Sequence, residues 1–129
     1  MDYFFKPLRK GGRSRIIEDR RERLNALGEE FKECQDVLFA LGDLTRQLIV
    51  LTLIEAGCHP GVRVGDITRK THLSRPAVSH HLKVLKDAGI LDVTRQGTMN
   101  FYSLNPAQSD LLKLKTLVAH VEEIIKVYK

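Results

Sequence analysis

SRPAVSHHLKVLKDAG, residues Ser74 to Gly89, decides the fold, because it reads as one helix with two incompatible faces. At ~100° per residue, Val78, His81, Leu85 and Ala88 fall on one side, flanked by Ala77, Leu82 and Val84. Arg75, Ser79, Lys83 and Lys86 fall together on the opposite side. One side wants a core and the other wants an anion. Ser74 is a good N-cap, since its hydroxyl can accept from an unpaired amide of the first turn, and Pro76 sits where its missing N–H does no harm. Gly89 closes the helix in the left-handed C-terminal position.

A short helical pattern, Val64 to Lys70, precedes this stretch and is joined to it by Thr71, His72 and Leu73. Two short helices around a tight turn, the second with small polar and basic residues at its start, make a helix-turn-helix, whose second helix would enter a DNA major groove. The plainer alternative is an amphipathic surface helix with a solvated basic face. The residues after Gly89 favour the helix-turn-helix. LDVTRQGTMNFYSL, residues 91–104, has the pattern of a β-hairpin. With Arg95, Gln96 and Gly97 as a three-residue loop, Val93 faces Met99 and Leu91 faces Phe101, while Asp92, Thr94, Thr98 and Asn100 take the other face. A register one residue off would set Val93 against Asn100 and mix the faces, so this register or one an even step away is expected. Helix, turn, helix and hairpin with a polar, basic tip form a winged helix.

LGDLTRQLIVLTLIEAG, then LSRPAVSHHLKVLKDAGIL, then RQGTMNFYSL together resemble the ArsR-type winged-helix transcriptional repressors of bacteria and archaea. The resemblance covers about Leu38 to Leu104. It implies a cytoplasmic homodimer that binds operator DNA and often releases it when an effector binds. In the metal-sensing members a Cys-x-Cys-Asp pattern binds soft metals at the start of the first of the two short helices. Arg63, Val64, Gly65 and Asp66 stand there in this chain, and neither arginine nor glycine can ligate, so that site is absent. Other relatives hold zinc, nickel or cobalt on the last helix through an Asp-x-His pair and a following His-x-x-Glu or His-x-x-His. His120 and Glu123 match the second half of this pattern, but Ala107 and Ser109 occupy the first, with Asp110 one place off. Half a site cannot hold a metal in four-coordinate geometry without borrowed ligands, so the expectation is no metal and no cofactor, with His120 and Glu123 as the residual candidates.

The 129 residues suit one domain with a real core. No run of about twenty apolar residues occurs and the N-terminus lacks the order of a signal peptide, so a soluble, cytoplasmic protein with no membrane partner is expected. Two cysteines, Cys34 and Cys58, form no CxxC pair and suggest neither a disulfide framework nor a four-thiolate zinc site. A net charge of +5 is compatible with a polyanionic partner without proving one. Residues 1–23 carry eight basic side chains (Lys6, Arg9, Lys10, Arg13, Arg15, Arg20, Arg21 and Arg23) against four acidic ones (Asp2, Glu18, Asp19 and Glu22). The first dozen of them, with Pro7, Gly11 and Gly12, read as an irregular arm that either touches DNA or is a solvated tail.

From Arg13 to Leu41 the chain reads as helix, broken near Gly28 or Asp36. Ile17, Leu24, Leu27, Phe31, Cys34, Leu38 and Leu41 keep a narrow seam that suits another helix, and on it Cys34 reads as inert packing. Asp43 N-caps the next helix, Leu44 to Ala56, which is apolar nearly all round and should be the central buried helix. Arg46 near its start suits a phosphate or a surface ion pair. Cys58 and His59 have no third partner at matching spacing and read as loop residues. Gly61 to Val64 suits a short strand against the hairpin. The last helix, Pro106 or Ala107 to Tyr128, repeats a stripe of Leu111, Leu114, Val118, Val121, Ile125 and Tyr128, which either makes a dimer with the first helix or folds back on its own domain.

The expected protein is therefore mainly α with a small β-hairpin: a basic arm at 1–12 and one winged helix-turn-helix domain at 13–129, dimeric through its N- and C-terminal helices. Its recognition helix is 74–88, its wing 91–104 and its dimerisation helix 106–128. It has no active site, there being no paired carboxylates, no Gly-rich phosphate loop and no Cys/His/Asp set. The expected partner is double-stranded DNA at an inverted-repeat operator, with the effector unknown. Arg75, Ser79 and His80 are the candidates for base edges or adjacent phosphates, and Ser74, Lys83, Lys86 and Arg95 for phosphates, with Gln96 beside Arg95 at the wing tip. His81, one residue on, points to the core. The alternatives are a metal-responsive repressor through His120 and Glu123, or a winged-helix module for protein or RNA.

Overall fold

The computed structural model describes residues 15–57, 59–104 and 110–128, with side chains from Asp19 onward. Its elements are α1 (Arg15–Glu33), α2 (Gln35–Leu41), α3 (Leu44–Ala56), α4 (Val64–Thr71), α5 (Arg75–Asp87), β1 (Leu91–Gln96), β2 (Met99–Leu104) and α6 (Leu111–Val127). The mainly helical fold with one antiparallel hairpin is the architecture expected. The basic arm, Cys58 and the expected start of the last helix at Pro106 or Ala107 lie outside the described residues. Two compact units form: Asp36–Leu112, holding α2 to α5 and the hairpin, and a second that joins α1 to the chain from Lys113 onward.

In the larger unit the core is built from Val37, Ala40, Ile49, Leu53, Val62, Ile67, Val78, Leu82, Leu85, Ile90 and Leu91, all buried. Each large aliphatic side chain there stabilises the fold by about 1.5–3 kcal/mol. The helix ends follow local chemistry: Asp43 accepts from the Arg46 amide at 2.9 Å and Ser74 accepts from the Ala77 amide at 3.2 Å. Gly89, at φ 75°, supplies the left-handed turn after α5, and its carbonyl accepts from the Asp110 amide at 2.9 Å.

Three expectations need correction or narrowing. The first long helix breaks at Cys34, which bears out a break near Asp36 and not one near Gly28. Gly28 stays helical, and Asp36 falls in the first turn of α2, where a negative charge suits the positive end of the helix. The second correction concerns α3, which packs against α4, α5 and β2 but buries only Arg46, Ile49, Thr52 and Leu53. Leu44, Leu48, Leu51 and Ile54 are exposed, because the neighbouring elements cover a single face. An all-apolar sequence did not mean burial all round.

The third concerns the hairpin. Gly97 and Thr98 alone form the turn, Gln96 pairs with Met99, and the register runs back through Val93 opposite Tyr102 to Leu91 opposite Leu104. Gly97 has φ 64° while Thr98 has no positive φ, the pattern of a two-residue type II′ turn, whose twist matches the strands better than the longer loop. The register therefore differs from the expected one by an odd step: Leu91, Val93, Tyr102 and Leu104 lie together, while Phe101 and Met99, expected with them, fall opposite Thr94 and Gln96 on the other face. In place of the short strand expected at Gly61 to Val64 there is a single β-bridge, Val62 exchanging two backbone hydrogen bonds with Tyr102 at 2.8 and 2.7 Å.

In the smaller unit the Tyr128 hydroxyl donates to Asp19 at 2.7 Å, and the guanidiniums of Arg20 and Arg23 lie 5.5 and 6.0 Å from the Tyr128 ring. Leu117 and Cys34 are buried, whereas Phe31, Val118, Ile125 and Val127 remain exposed.

Candidate nucleic-acid interface

α4 and α5 are joined by His72, Leu73 and Ser74, with His72 in the left-handed region at φ 58° and ψ 23° and its amide bonded to the Thr68 carbonyl. This is the tight corner of a helix-turn-helix. The two faces of α5 are as expected: Val78, Leu82 and Leu85 are buried, Ala77, His81 and Val84 are half-buried, and Ser74, Arg75, Ser79, His80, Lys83 and Lys86 are exposed. The apolar side anchors the helix while the polar side is presented outward. Lys83 pairs with Asp87 at 2.8 Å, which holds its ammonium above the usual lysine value. Such an exposed pair is worth little and a phosphate can replace it.

His81 is held by Arg46, not by a core hydroxyl or carbonyl. The Arg46 guanidinium is buried, and its Nη1 lies 3.3 Å from His81 Nδ1. The same guanidinium donates to the carbonyls of Ala40 at 2.8 Å and Phe39 at 3.1 Å, the last turn of α2, and lies 4.9 Å from the Phe39 ring. Arg46 is thus neither a phosphate ligand nor a surface residue: it ties the end of α2 to the recognition-helix candidate. Arginine has no acceptor, so His81 Nδ1 must accept this hydrogen bond and its ring is neutral there. Burial, with the Arg46 guanidinium beside it, pushes His81 below the usual imidazole value, against the opposing pull of Asp43.

The hairpin places Arg95 and Gln96 on β1, both exposed, with Arg95 Nε donating to the Gly97 carbonyl at 3.0 Å. Between the hairpin tip and the start of α4 lies a cleft of about 350 Å³ lined by Arg63, Val64, Gly65, Asp66, Arg69, Arg75, Thr98, Met99 and Asn100. Of these only Arg75 is legible in sequence as a DNA candidate.

Residues 43–93 match the family described as bacterial regulatory proteins, arsR family. The arsenical resistance operon repressor of Staphylococcus aureus is 31% identical over 80 residues, which are 62% of this chain and 73% of that protein. The chain belongs to the ArsR family. The transcriptional repressor SdpR of Bacillus subtilis is 39% identical over 70 residues, 54% of this chain and 73% of the relative. The crystal structure of an ArsR family transcriptional regulator shares the fold with a TM-score of 0.62 at 16% identity, covering 76% of this chain and 95% of the other. The family consists of helix-turn-helix transcriptional regulators, and the matched span takes in α3, both helices of the motif and the start of the wing.

The residual metal candidates on α6 of this ArsR-family chain are engaged with α1. His120 Nδ1 sits 2.6 and 2.9 Å from the two carboxylate oxygens of Glu30, and Glu123 lies 3.6 Å from Arg23. Among the described residues no three His, Cys, Asp or Glu side chains come together as a metal-holding group.

Proposed function

We propose that this protein is a homodimeric, cytoplasmic transcriptional repressor that reads an imperfect inverted-repeat operator with α5. The observation that carries the reading is the division of α5 into a buried Val78, Leu82, Leu85 side and an exposed Arg75, Ser79, His80, Lys83, Lys86 side. Arg75, Ser79 and His80, at the start of the helix, contact base edges in the major groove or the adjacent phosphates. Ser74, Lys83 and Lys86 hold the flanking phosphates, and Arg95 with Gln96 follows the backbone from the wing. The Ser74 hydroxyl accepts from Ala77 and keeps its proton for a phosphate oxygen. Phe31 on α1 and Val118, Ile125 and Val127 on α6 are exposed apolar side chains that suit the two-fold contact of a dimer. The names of the relatives SdpR and the arsenical resistance operon repressor support repression over activation.

Selection of bound fragments from random duplex DNA, followed by footprinting, tests this. Two half-sites ~10–11 base pairs apart, or a multiple of that, are expected from two helices meeting successive major grooves on one face. A consistently single, asymmetric half-site would overturn the dimer, and duplex binding without a steep salt dependence would overturn the DNA reading.

A further inference from the structure

We propose that the cleft between the start of α4 and the hairpin tip is a binding site for a phosphate group, gripped by Arg63 and Arg75. Three arginines line it from three places: Arg63 before α4, Arg69 on α4 and Arg75 at the start of α5. Among the described residues the one carboxylate lining it is Asp66, and Arg69 takes that one as a salt bridge. Arg63 and Arg75 have no ion-pair partner among the described residues. The charges converge: Arg69 Nη1 and Arg75 Nη1 lie 3.7 and 4.0 Å from the single point where a Cβ on Gly65 would stand. One carboxylate among three arginines leaves the cleft with an excess of positive charge that favours an anion.

The geometry selects a phosphate over a carboxylate. Planar forks approaching from separate elements match a tetrahedral oxyanion, each taking a different pair of oxygens. No side chain caps α4 at Arg63, so amides at the start of that helix are available to the same oxygens. Thr98 and Asn100 line the hairpin side and add a hydroxyl and an amide as neutral donors. The volume of about 350 Å³ admits a phosphate with the group it is attached to.

Such a group has two sources: a backbone phosphodiester of the operator, or a free phosphate that competes for Arg75 and so releases DNA. The first source rests on the proposed DNA-binding function; the second does not. The test uses the full chain in two arms. In the first, arginine Nε–H resonances of the DNA-free protein are followed while inorganic phosphate replaces chloride at constant ionic strength. In the second, the salt dependence of binding to a selected duplex is compared for the wild type and Arg63→Ala. Arg63 is exposed and makes no capping bond, so the variant keeps the fold.

Saturable shifts at Arg63 and Arg75, lost at Arg75 in Arg63→Ala, together with weaker duplex binding in phosphate than in chloride, establish the free-phosphate source. No shifts, but about tenfold weaker binding of Arg63→Ala to all duplexes and a salt slope smaller by about one, establish the backbone source. Absence of both effects, or equal shifts with chloride alone, overturns the proposal. If the wild type binds no duplex, the DNA reading fails and the first arm alone decides the cleft.

Discussion

Replacing Arg46 by methionine isolates the contribution of one buried cation to this fold. Methionine keeps the length and the apolar stem but removes every donor. The Ala40 carbonyl loses the 2.8 Å bond, and the Phe39 carbonyl loses the 3.1 Å bond but keeps the Gly42 amide at 3.3 Å. His81 Nδ1 loses its donor, and the guanidinium contact with the Phe39 ring goes as well. A hydrogen bond from a charged donor contributes about 1.5–3 kcal/mol, and a cation over an aromatic ring about 0.5–2 kcal/mol. Against these stands the relief of no longer burying a charge, which recovers several kcal/mol in a fully enclosed pair. The net expectation is a loss of about 3 kcal/mol, or about a hundredfold in the folding equilibrium. Equilibrium urea unfolding of both proteins at pH 7.5 measures it, with an unchanged dependence on denaturant as the sign that only stability has moved. Arg46→Lys, a point charge able to reach one carbonyl, should lose about half as much. A loss below about 1 kcal/mol for Arg46→Met would refute the reasoning, since it would mean that water or backbone adjustment satisfies the end of α2 without the guanidinium.

The other predictions concern titration, backbone and DNA. His81 is held below its ordinary value in the folded chain, so the unfolded chain takes up its proton first. Stability should be unaffected by this group above about pH 6.5 and fall as the pH drops below it; His81→Gln, which keeps an acceptor for Arg46, should show a smaller fall between pH 7.5 and 5 in the same urea assay. Gly89→Ala should cost about 2 kcal/mol, measured by thermal unfolding, because φ is 75° and a Cβ there would run into the Asp110 carboxylate. An unchanged Tm would mean that α6 and the turn shift freely. Lys83→Ala should weaken all duplexes alike, whereas His80→Ala should change the selected sequence; the reverse pattern in competition binding would exchange the assigned roles.

What the sequence makes legible is what is decided within a turn of chain. Ser74 and Asp43 cap their helices as expected, because capping needs only a short side chain and an amide three residues on. The faces of α5 follow in the same way from periodicity. The hairpin register does not, because Gly97 suits a three-residue loop as well as the first position of a two-residue turn, and β2 has apolar or aromatic residues on both faces, Met99 and Phe101 on one and Tyr102 and Leu104 on the other. The exposure of Leu44, Leu48, Leu51 and Ile54 was equally hidden, since hydrophobicity reports a preference for burial and not which neighbours exist.

Charged residues were the hardest to place, and for one reason: their environment is made by distant parts of the chain. Arg46 sits among leucines and reads as a surface charge, yet it is inside because α2 ends in a corner whose carbonyls need donors. Even so, a basic residue four places after a helix-ending Gly42 was a usable sign that it folds back on the preceding helix. Arg63, Arg69 and Arg75 carry no such sign. They are brought to one cleft only after the α4–α5 corner and the hairpin are folded, and Arg63 and Gly65 in sequence show only that thiolate ligands are missing there. His80 and His81 show the limit most sharply: one residue apart, the first is exposed on the polar side of α5, and the second is tied to Arg46. Periodicity assigns the sides, but the partner that fixes the charge state of His81 comes from a residue 35 positions earlier. A substitution at either histidine must therefore be read differently, as a change to an exposed side chain at His80 and as a change in how α5 is held at His81.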